Sequence, residues 1–291
     1  MSAPPRFDVL TLHPQMVRGM LFASVIGRAV ERGLVHIGVH DIRDAATDRH
    51  RTVDDAPYGG GAGMVMRVDV VARALAAVRT PEARVVITSP AGRRFDHNAA
   101  VELSQRPHTI LLCGHYEGID ARILSMVDEE LSLGDFVLTG GEIAAAAFVD
   151  AAARLVPGVL GNEASAGEES FVDGLLEHPQ FTRPVTWEGA DVPEVLRSGH
   201  HGRVAAWRLA QAQATTRARR PDLWAAWCAR REVDPGAPIP GVDPMPERAN
   251  RRRRPKVRAT DSSAPPHALG AAPDPAAPNA PEPPSDSAER G

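Results

Sequence analysis

Residues 131–142 read LSLGDFVLTGGE and hold the densest candidate for ligand chemistry in the chain. An apolar, strand-like run from Phe136 to Leu138 lies between two glycine-bearing turns, Gly134-Asp135 and Thr139-Gly140-Gly141. An alanine-rich segment beginning at Glu142 reads as a helix. Glycine permits positive φ and lets a ligand approach bare N–H and C=O groups. A tight backbone pocket of this kind suits a ligand read by its purine edge. On spacing alone, the same stretch also describes an ordinary strand–turn–helix corner. A second candidate is charge. Residues 195–221 contain no Asp or Glu but carry Arg197, Arg203, Arg208, Arg217, Arg219 and Arg220, with His200 and His201. On a helix these make a strongly positive surface in an otherwise acidic chain, suited to phosphates.

The remaining composition narrows the class. A chain of 291 residues with 43% hydrophobic content supports one or two domains with real cores. A net charge of -4 and a pI near 6.3 exclude a uniformly basic nucleic-acid coat, so RNA contact has to come from a local patch. Cys113 and Cys228 lie far apart and give neither a disulfide framework nor a metal spacing. A reducing, cytoplasmic compartment is therefore expected. No apolar run approaches membrane-spanning length, and the N-terminal MSAPPRFDVL lacks a signal-peptide pattern, so no membrane partner is expected.

The elements that must position these groups follow from pattern. Residues 7–12, 34–40, 84–88 and 109–113 read as strands, mostly apolar throughout, and residues 16–32, 64–78, 95–104 and 144–155 as helices. A short helix is expected over 120–127. Apolar strands separated by helices imply an α/β domain whose parallel sheet is covered on both faces. In such sheets ligands sit at the carboxyl ends of the strands. The loops at 89–92, 114–118 and 133–141 all fall there. Residues 41–63 form a long polar, glycine-bearing segment expected to be a functional lid or disordered. Residues 161–174 are polar and acidic and read as a linker. Ser198 is placed as the N-cap of a helix reaching Arg219, and Pro221 in the first turn of a last helix reaching Arg231. From Pro235 onward 14 of 57 residues are proline, a composition that cannot bury a core, so this tail is expected to be disordered. It carries a basic cluster at 251–254 that is either solvated or a helper for RNA binding.

Five segments in this order and spacing are far more specific than α/β pattern. They are DRHRTVDD with PYGGG (48–61), CGHYEGID (113–120), 133–142, VPGVLG (156–161) and VPEVLRSG (192–199). With them the chain resembles the bacterial tRNA (guanine-N1)-methyltransferase family TrmD, of the SPOUT superfamily, over about residues 6–232. The resemblance implies a SPOUT fold with a deep trefoil knot, a flexible linker, a small helical C-terminal domain and a homodimer with a shared active site. The corresponding boundaries are 1–160, 161–175, 176–233 and, for the tail, 234–291. It implies S-adenosylmethionine as methyl donor and, as substrate, N1 of the guanosine at tRNA position 37, directly 3′ of the anticodon, with a preference for a preceding guanosine.

The resemblance assigns roles residue by residue. Guanine N1 carries a proton at neutral pH, so a base must remove it and a cationic group must meet charge growing on O6. Arg154 matches the family's O6-stabilising arginine; alone it reads equally as a helix C-terminal arginine facing the dipole. Glu169 stands where the family carries an aspartate base, and the extra methylene leaves Glu168 and Asp173 as alternatives. Gly114, Leu133, Gly134, Asp135, Phe136, Val137 and Leu138 match donor-binding positions. Ser89, Pro90, Tyr116, Glu117, Gly140 and Gly141 are expected to complete the lining. Asp48, Arg49, His50 and Arg51 are expected against tRNA, as are Arg197, His200, Arg203, Arg208 and Arg217. Family members are described as Mg²⁺-dependent, and Glu117 and Glu169 are conceivable oxygen ligands, but no spacing defines a cage. A nicotinamide-type dinucleotide enzyme is excluded, because the dense glycine run 59–63 sits in a polar loop and not after a first strand. The other competing class is a noncatalytic SPOUT-fold RNA-binding protein.

Overall fold

The computed structural model describes residues 3–161 and 169–242. Five parallel strands form the central sheet: β1 (Arg6–Thr11), β2 (His36–Asp41), β5 (Ala83–Arg94), β6 (His108–Leu112) and β7 (Glu129–Ser132), in the order β2-β1-β6-β5-β7. Two two-stranded ribbons lie outside it: β3 (Asp54–Asp55) with β4 (Val65–Met66), and β8 (Thr186–Trp187) with β9 (Ala190–Asp191).

Side chains alternate across a strand, and the two faces of the sheet separate cleanly. Phe7, Val9, Leu111 and Cys113 pack on one face against helices α1 (Pro14–Leu21), α4 (His97–Gln105) and α5 (Glu142–Ala153). Leu10, Leu12, Ile110 and Leu112 point the other way, onto α3 (Val68–Val78) and two 3-10 turns, Ile42–Ala45 and Ala121–Met126. Helix α5 is apolar on nearly all sides, and its alanines let it lie close to the sheet. Asp96 caps α4 by accepting from the Ala99 N–H at 2.9 Å.

Several elements differ from the sequence reading. The helix expected over 16–32 is two helices, α1 and α2 (Ser24–Glu31), broken where Ser24 takes φ 54. A Cβ at Gly27 would lie 2.7 Å from the Phe22 carbonyl, so the break is packed tightly. Residues 65–66 pair with β3, and helix α3 starts only at Val68. The short helix over 120–127 is 3-10. Phe136–Leu138 is no strand: it is irregular, with Phe136 54% and Val137 83% exposed. The strand is β7 just before it, which the acids of EELS conceal; Glu129 turns to Arg93 and Arg106 at 2.7 and 2.9 Å. Strand β5 runs past its expected end, and its 89–92 turn is an outward loop, since Thr88 and Arg93 both register with Leu131. Gly92 allows this: a Cβ there would meet the Glu130 carbonyl carbon at 2.5 Å.

A second small core follows in sequence. Helices α7 (His201–Arg219) and α8 (Pro221–Arg231) bury Trp224, Trp227 and Cys228 with Leu175 and Ala212. A short helix, α6 (Glu194–Arg197), precedes them. Ser198 is the C-cap residue of α6, and His200 takes the N-cap place of α7 that was assigned to Ser198. Among the described residues, no helix is long and apolar enough to cross a membrane. The tail expected to be disordered from Pro235 is held at its start: the Trp224 ring N–H donates to the Pro235 carbonyl at 3.1 Å, and Ile239 packs against the Trp224–Trp227 cluster. Residues 243–291, with the basic cluster at 251–254, and Glu168 lie outside the described residues.

Candidate active site

All five strands are parallel, so their carboxyl ends share one edge, where three loops meet. The 89–92 loop, the 113–118 segment after β6 and the 133–141 segment after β7 enclose a cavity of ≈ 290 Å³. Its wall contains Ser89, Pro90, Gly114, Tyr116, Glu117, Leu133, Gly134, Phe136, Val137, Leu138, Gly140 and Gly141. Among the residues assigned to the donor from sequence, only Asp135 is outside the lining; it is exposed. Thr88, His115, Ser132 and Thr139 line it too and went unassigned, although His115 stands inside the quoted CGHYEGID.

Glycine is required here by close approach. A Cβ at Gly140 would sit 2.2 Å from His115 Nε2, and one at Gly141 would sit 2.0 Å from Thr88 Oγ1. The Gly141 N–H donates to the Gly114 carbonyl at 2.9 Å, sewing the two loops together. Below them Glu142, 1% exposed, accepts from Thr11 Oγ1 at 2.6 Å and pairs with His115 Nε2 at 3.0 Å. The wall of backbone amides and apolar side chains fits an adenosyl group. The 41–63 segment ends beside Glu117 of this wall: a Cβ at Gly63 would lie 2.4 Å from Glu117 Cγ, and the Glu117 N–H donates to the carbonyl of the next residue, Met64, at 3.0 Å.

A second cavity, of ≈ 490 Å³, opens beside the C-terminus of α5. Arg154 and Glu169 line it with His97, Phe171 and Glu177. The Arg154 guanidinium holds Glu169 through both nitrogens: Nη2 donates to Oε1 at 2.7 Å, and Nη1 donates to Oε2. This hydrogen bonding keeps the Glu169 carboxyl below the usual carboxylate range and raises Arg154. Asp173, the other described acid considered as a base, is tied to Arg231 at 2.8 Å and to the Trp227 ring N–H at 3.4 Å. The first and second cavities share no lining residue, so Glu117 and Glu169 stand apart within one chain. Among the described residues, no group of three or more His, Cys, Asp or Glu could hold a metal ion.

The residues assigned to RNA are dispersed. Asp48 organises its own turn, accepting from the Thr52 hydroxyl at 2.8 Å and the Thr52 N–H at 3.0 Å, while Arg49 and His50 are exposed. Arg51, at φ 52, pairs with Asp44. On α7 the charges do not form one face. At about 100° per residue, Arg203 and Arg217 fall on one side and Arg208 and Arg219 on another. Arg203 is exposed, whereas Arg208 is half-buried and lines a third cavity with Glu169 and Asp173. Arg197 ends α6, His200 opens α7, and the Arg217 guanidinium donates to the Ala237 carbonyl at 3.1 Å.

The family model described as tRNA (Guanine-1)-methyltransferase TrmD matches residues 5–226. A tRNA (guanine-N(1)-)-methyltransferase of Geobacter sulfurreducens is 57% identical over 221 residues, covering 75% of this chain and 90% of that protein. The protein of the same name from Chloroflexus aggregans is 56% identical over 224 residues, covering 76% and 88%. That from Gluconobacter oxydans is 52% identical over 230 residues, covering 78% and 98%. With the motifs, the parallel sheet and these matches in agreement, the chain belongs to the tRNA (guanine-1)-methyltransferase TrmD family.

Proposed function

We propose that this chain methylates N1 of the guanosine at tRNA position 37, using S-adenosylmethionine bound in the glycine-walled cavity. The donor supplies an electrophilic methyl group on a sulfonium, so the protein's task is alignment and proton removal. Leu133, Gly134 and Phe136 to Leu138 offer main-chain groups to the adenine edge, with Gly114, Tyr116 and Gly140 completing the wall. Asp135 has no part in this lining.

The observation that carries the catalytic reading is the bidentate Arg154–Glu169 pair in its own cavity. Paired with a guanidinium, Glu169 is ionised but a weak base. Guanine O6 competes for the Arg154 N–H groups. As Arg154 turns toward O6, Glu169 loses its partner and gains basicity, and its carboxylate takes the N1 proton. The same arginine then meets the negative charge on O6. Glutamate in place of the family's aspartate fits a pair held by both arginine nitrogens.

The separation of the two cavities supports a shared site. Within one chain Glu169 does not line the donor cavity, so a homodimer, in which the acid of one subunit serves the donor cavity of the other, completes the constellation. The trefoil knot, the linker at 161–175 and the division into domains 1–160 and 176–233 are carried by the family. The junction of residues 63–64 with Glu117 supports a role for the 41–63 segment in closing over the anticodon loop. Exposed Arg49, His50, Arg197 and Arg203 remain the leading RNA contacts. No metal is part of the proposal. The paired Arg154 and Glu169 weigh against the noncatalytic reading.

Glu169→Gln tests the base. It should lower methyl transfer at least about 100-fold, the scale of general-base catalysis, while donor affinity by calorimetry stays within about twofold. A fully active variant would assign the proton to another group.

A further inference from the structure

Glu142 takes no part in the proton transfer above, yet it is 1% exposed and sits directly under the donor cavity. Its Oε1 accepts from Thr11 Oγ1 at 2.6 Å and its Oε2 faces His115 Nε2 at 3.0 Å. Gly140 is the cavity wall above it: a Cβ there would lie 2.4 Å from Glu142 Oε2. Only one glycine backbone therefore separates this carboxylate from whatever fills the cavity. A buried carboxylate is costly unless it is compensated. Among the described residues, His115 is its sole ion-pair partner; no arginine or lysine reaches it. A hydroxyl and an imidazole meet its two oxygens, with no guanidinium or ammonium beside it among the described residues. The start of α5 contributes only a partial one. Its field is felt nearby: the Cys113 thiol is pushed up, first by burial and then by the charge of Glu142.

We infer that the Thr11–Glu142–His115 row forms an electronegative floor that makes the cavity favour a cationic sulfonium over the neutral thioether left after transfer. This rests on reading the cavity as the donor site. The missing compensation comes from the ligand: a positive charge above Gly140 lies within a few ångströms of Glu142, with little water between. At the effective dielectric of such a site, one charge at that range changes relative affinity by about tenfold or more. The carboxylate thus helps the reacted molecule to leave while holding the unreacted one. Glu142 is a positioning and selectivity residue, since it reaches the ligand through Gly140 and His115.

Calorimetric titration of the full-length chain with S-adenosylmethionine and with S-adenosylhomocysteine tests this. Glu142→Gln keeps the size and an acceptor for Thr11 while removing the charge; its amide N–H turns the second end into a donor that the other tautomer of His115 can accept. The ratio of the homocysteine Kd to the methionine Kd should fall about tenfold relative to the wild type. His115→Arg leaves Glu142 in place and sets a fixed cation beside it; the same ratio should fall in that variant as well. Equal weakening of both ligands in both variants, as a purely structural pin would give, overturns the inference. If the wild type binds neither ligand, the donor reading of the cavity falls, and this inference falls with it.

Discussion

Gly141→Ala isolates the close-packing argument from backbone strain. Gly141 sits at φ -80, ψ -6, a conformation alanine adopts freely, so a methyl group there acts only through what it touches. It would lie 2.0 Å from Thr88 Oγ1, 2.9 Å from Cys113 Cα and 3.1 Å from the Gly114 nitrogen. Thr88 can rotate, but the Cys113 and Gly114 contacts are backbone at the end of β6 and cannot. Accommodation requires the 113–118 and 139–141 segments to part, stretching the Gly141-to-Gly114 hydrogen bond. Overpacking of this kind costs about 1–3 kcal/mol. For a folded region of this size that lowers Tm by about 3–10 °C. Because both segments wall the cavity, donor affinity should fall about tenfold or more in the same variant. Differential scanning calorimetry and donor titration read the two effects. Adding Thr88→Ala should recover part of the Tm loss but not all, since the backbone contacts persist. Gly141→Ala with wild-type Tm and wild-type donor affinity would refute the reasoning.

Asp8, 1% exposed in the interior strand β1, accepts from Arg6, His40 and His108, each at 2.7 Å. Burial pushes its carboxyl up, but hydrogen bonds from His40, Arg6 and His108 outweigh it and hold the group below its ordinary value. A depressed folded pKa gives stability that is present above the unfolded pKa, near 4, and lost as pH falls through the folded value. Asp8→Asn should therefore cost about 2–4 kcal/mol at neutral pH, and the Tm gap to wild type should narrow as pH falls below about 4. Exposed Arg203 should contribute to tRNA and not to the donor. Arg203→Glu should weaken tRNA binding, reduce the salt dependence of log K by about one contact and leave S-adenosylmethionine affinity unchanged, as filter binding and calorimetry can check.

The sheet was legible because buried parallel strands are apolar on both faces, as ILL in β6 and VVI in β5 are. β7 was not, because its Glu129 serves arginines 36 and 23 residues away in sequence. Phe136–Leu138 misled for the converse reason: an apolar run can be an irregular cavity wall and not a strand. The break at Ser24 rests on a contact between Gly27 and Phe22 that periodicity does not encode. The cavity lining came from the family motifs, and the glycines supplied its physical reason. The Thr11–Glu142 bond joins residues 131 apart, and nothing local in either segment announces it. The basic helix was legible as composition but not as a surface, since α7 buries Trp207, Ala210 and Gln211 and spreads its arginines around the rest.

The most direct test of the central claim is methyl transfer from labelled S-adenosylmethionine to tRNA transcripts that differ only in the base after the anticodon, with product nucleosides resolved by mass spectrometry. The account predicts N1-methylguanosine from the guanosine transcript, none from the adenosine transcript, and severe loss with Arg154→Ala. Equal labelling of both transcripts, or an Arg154→Ala enzyme as fast as wild type, would contradict it.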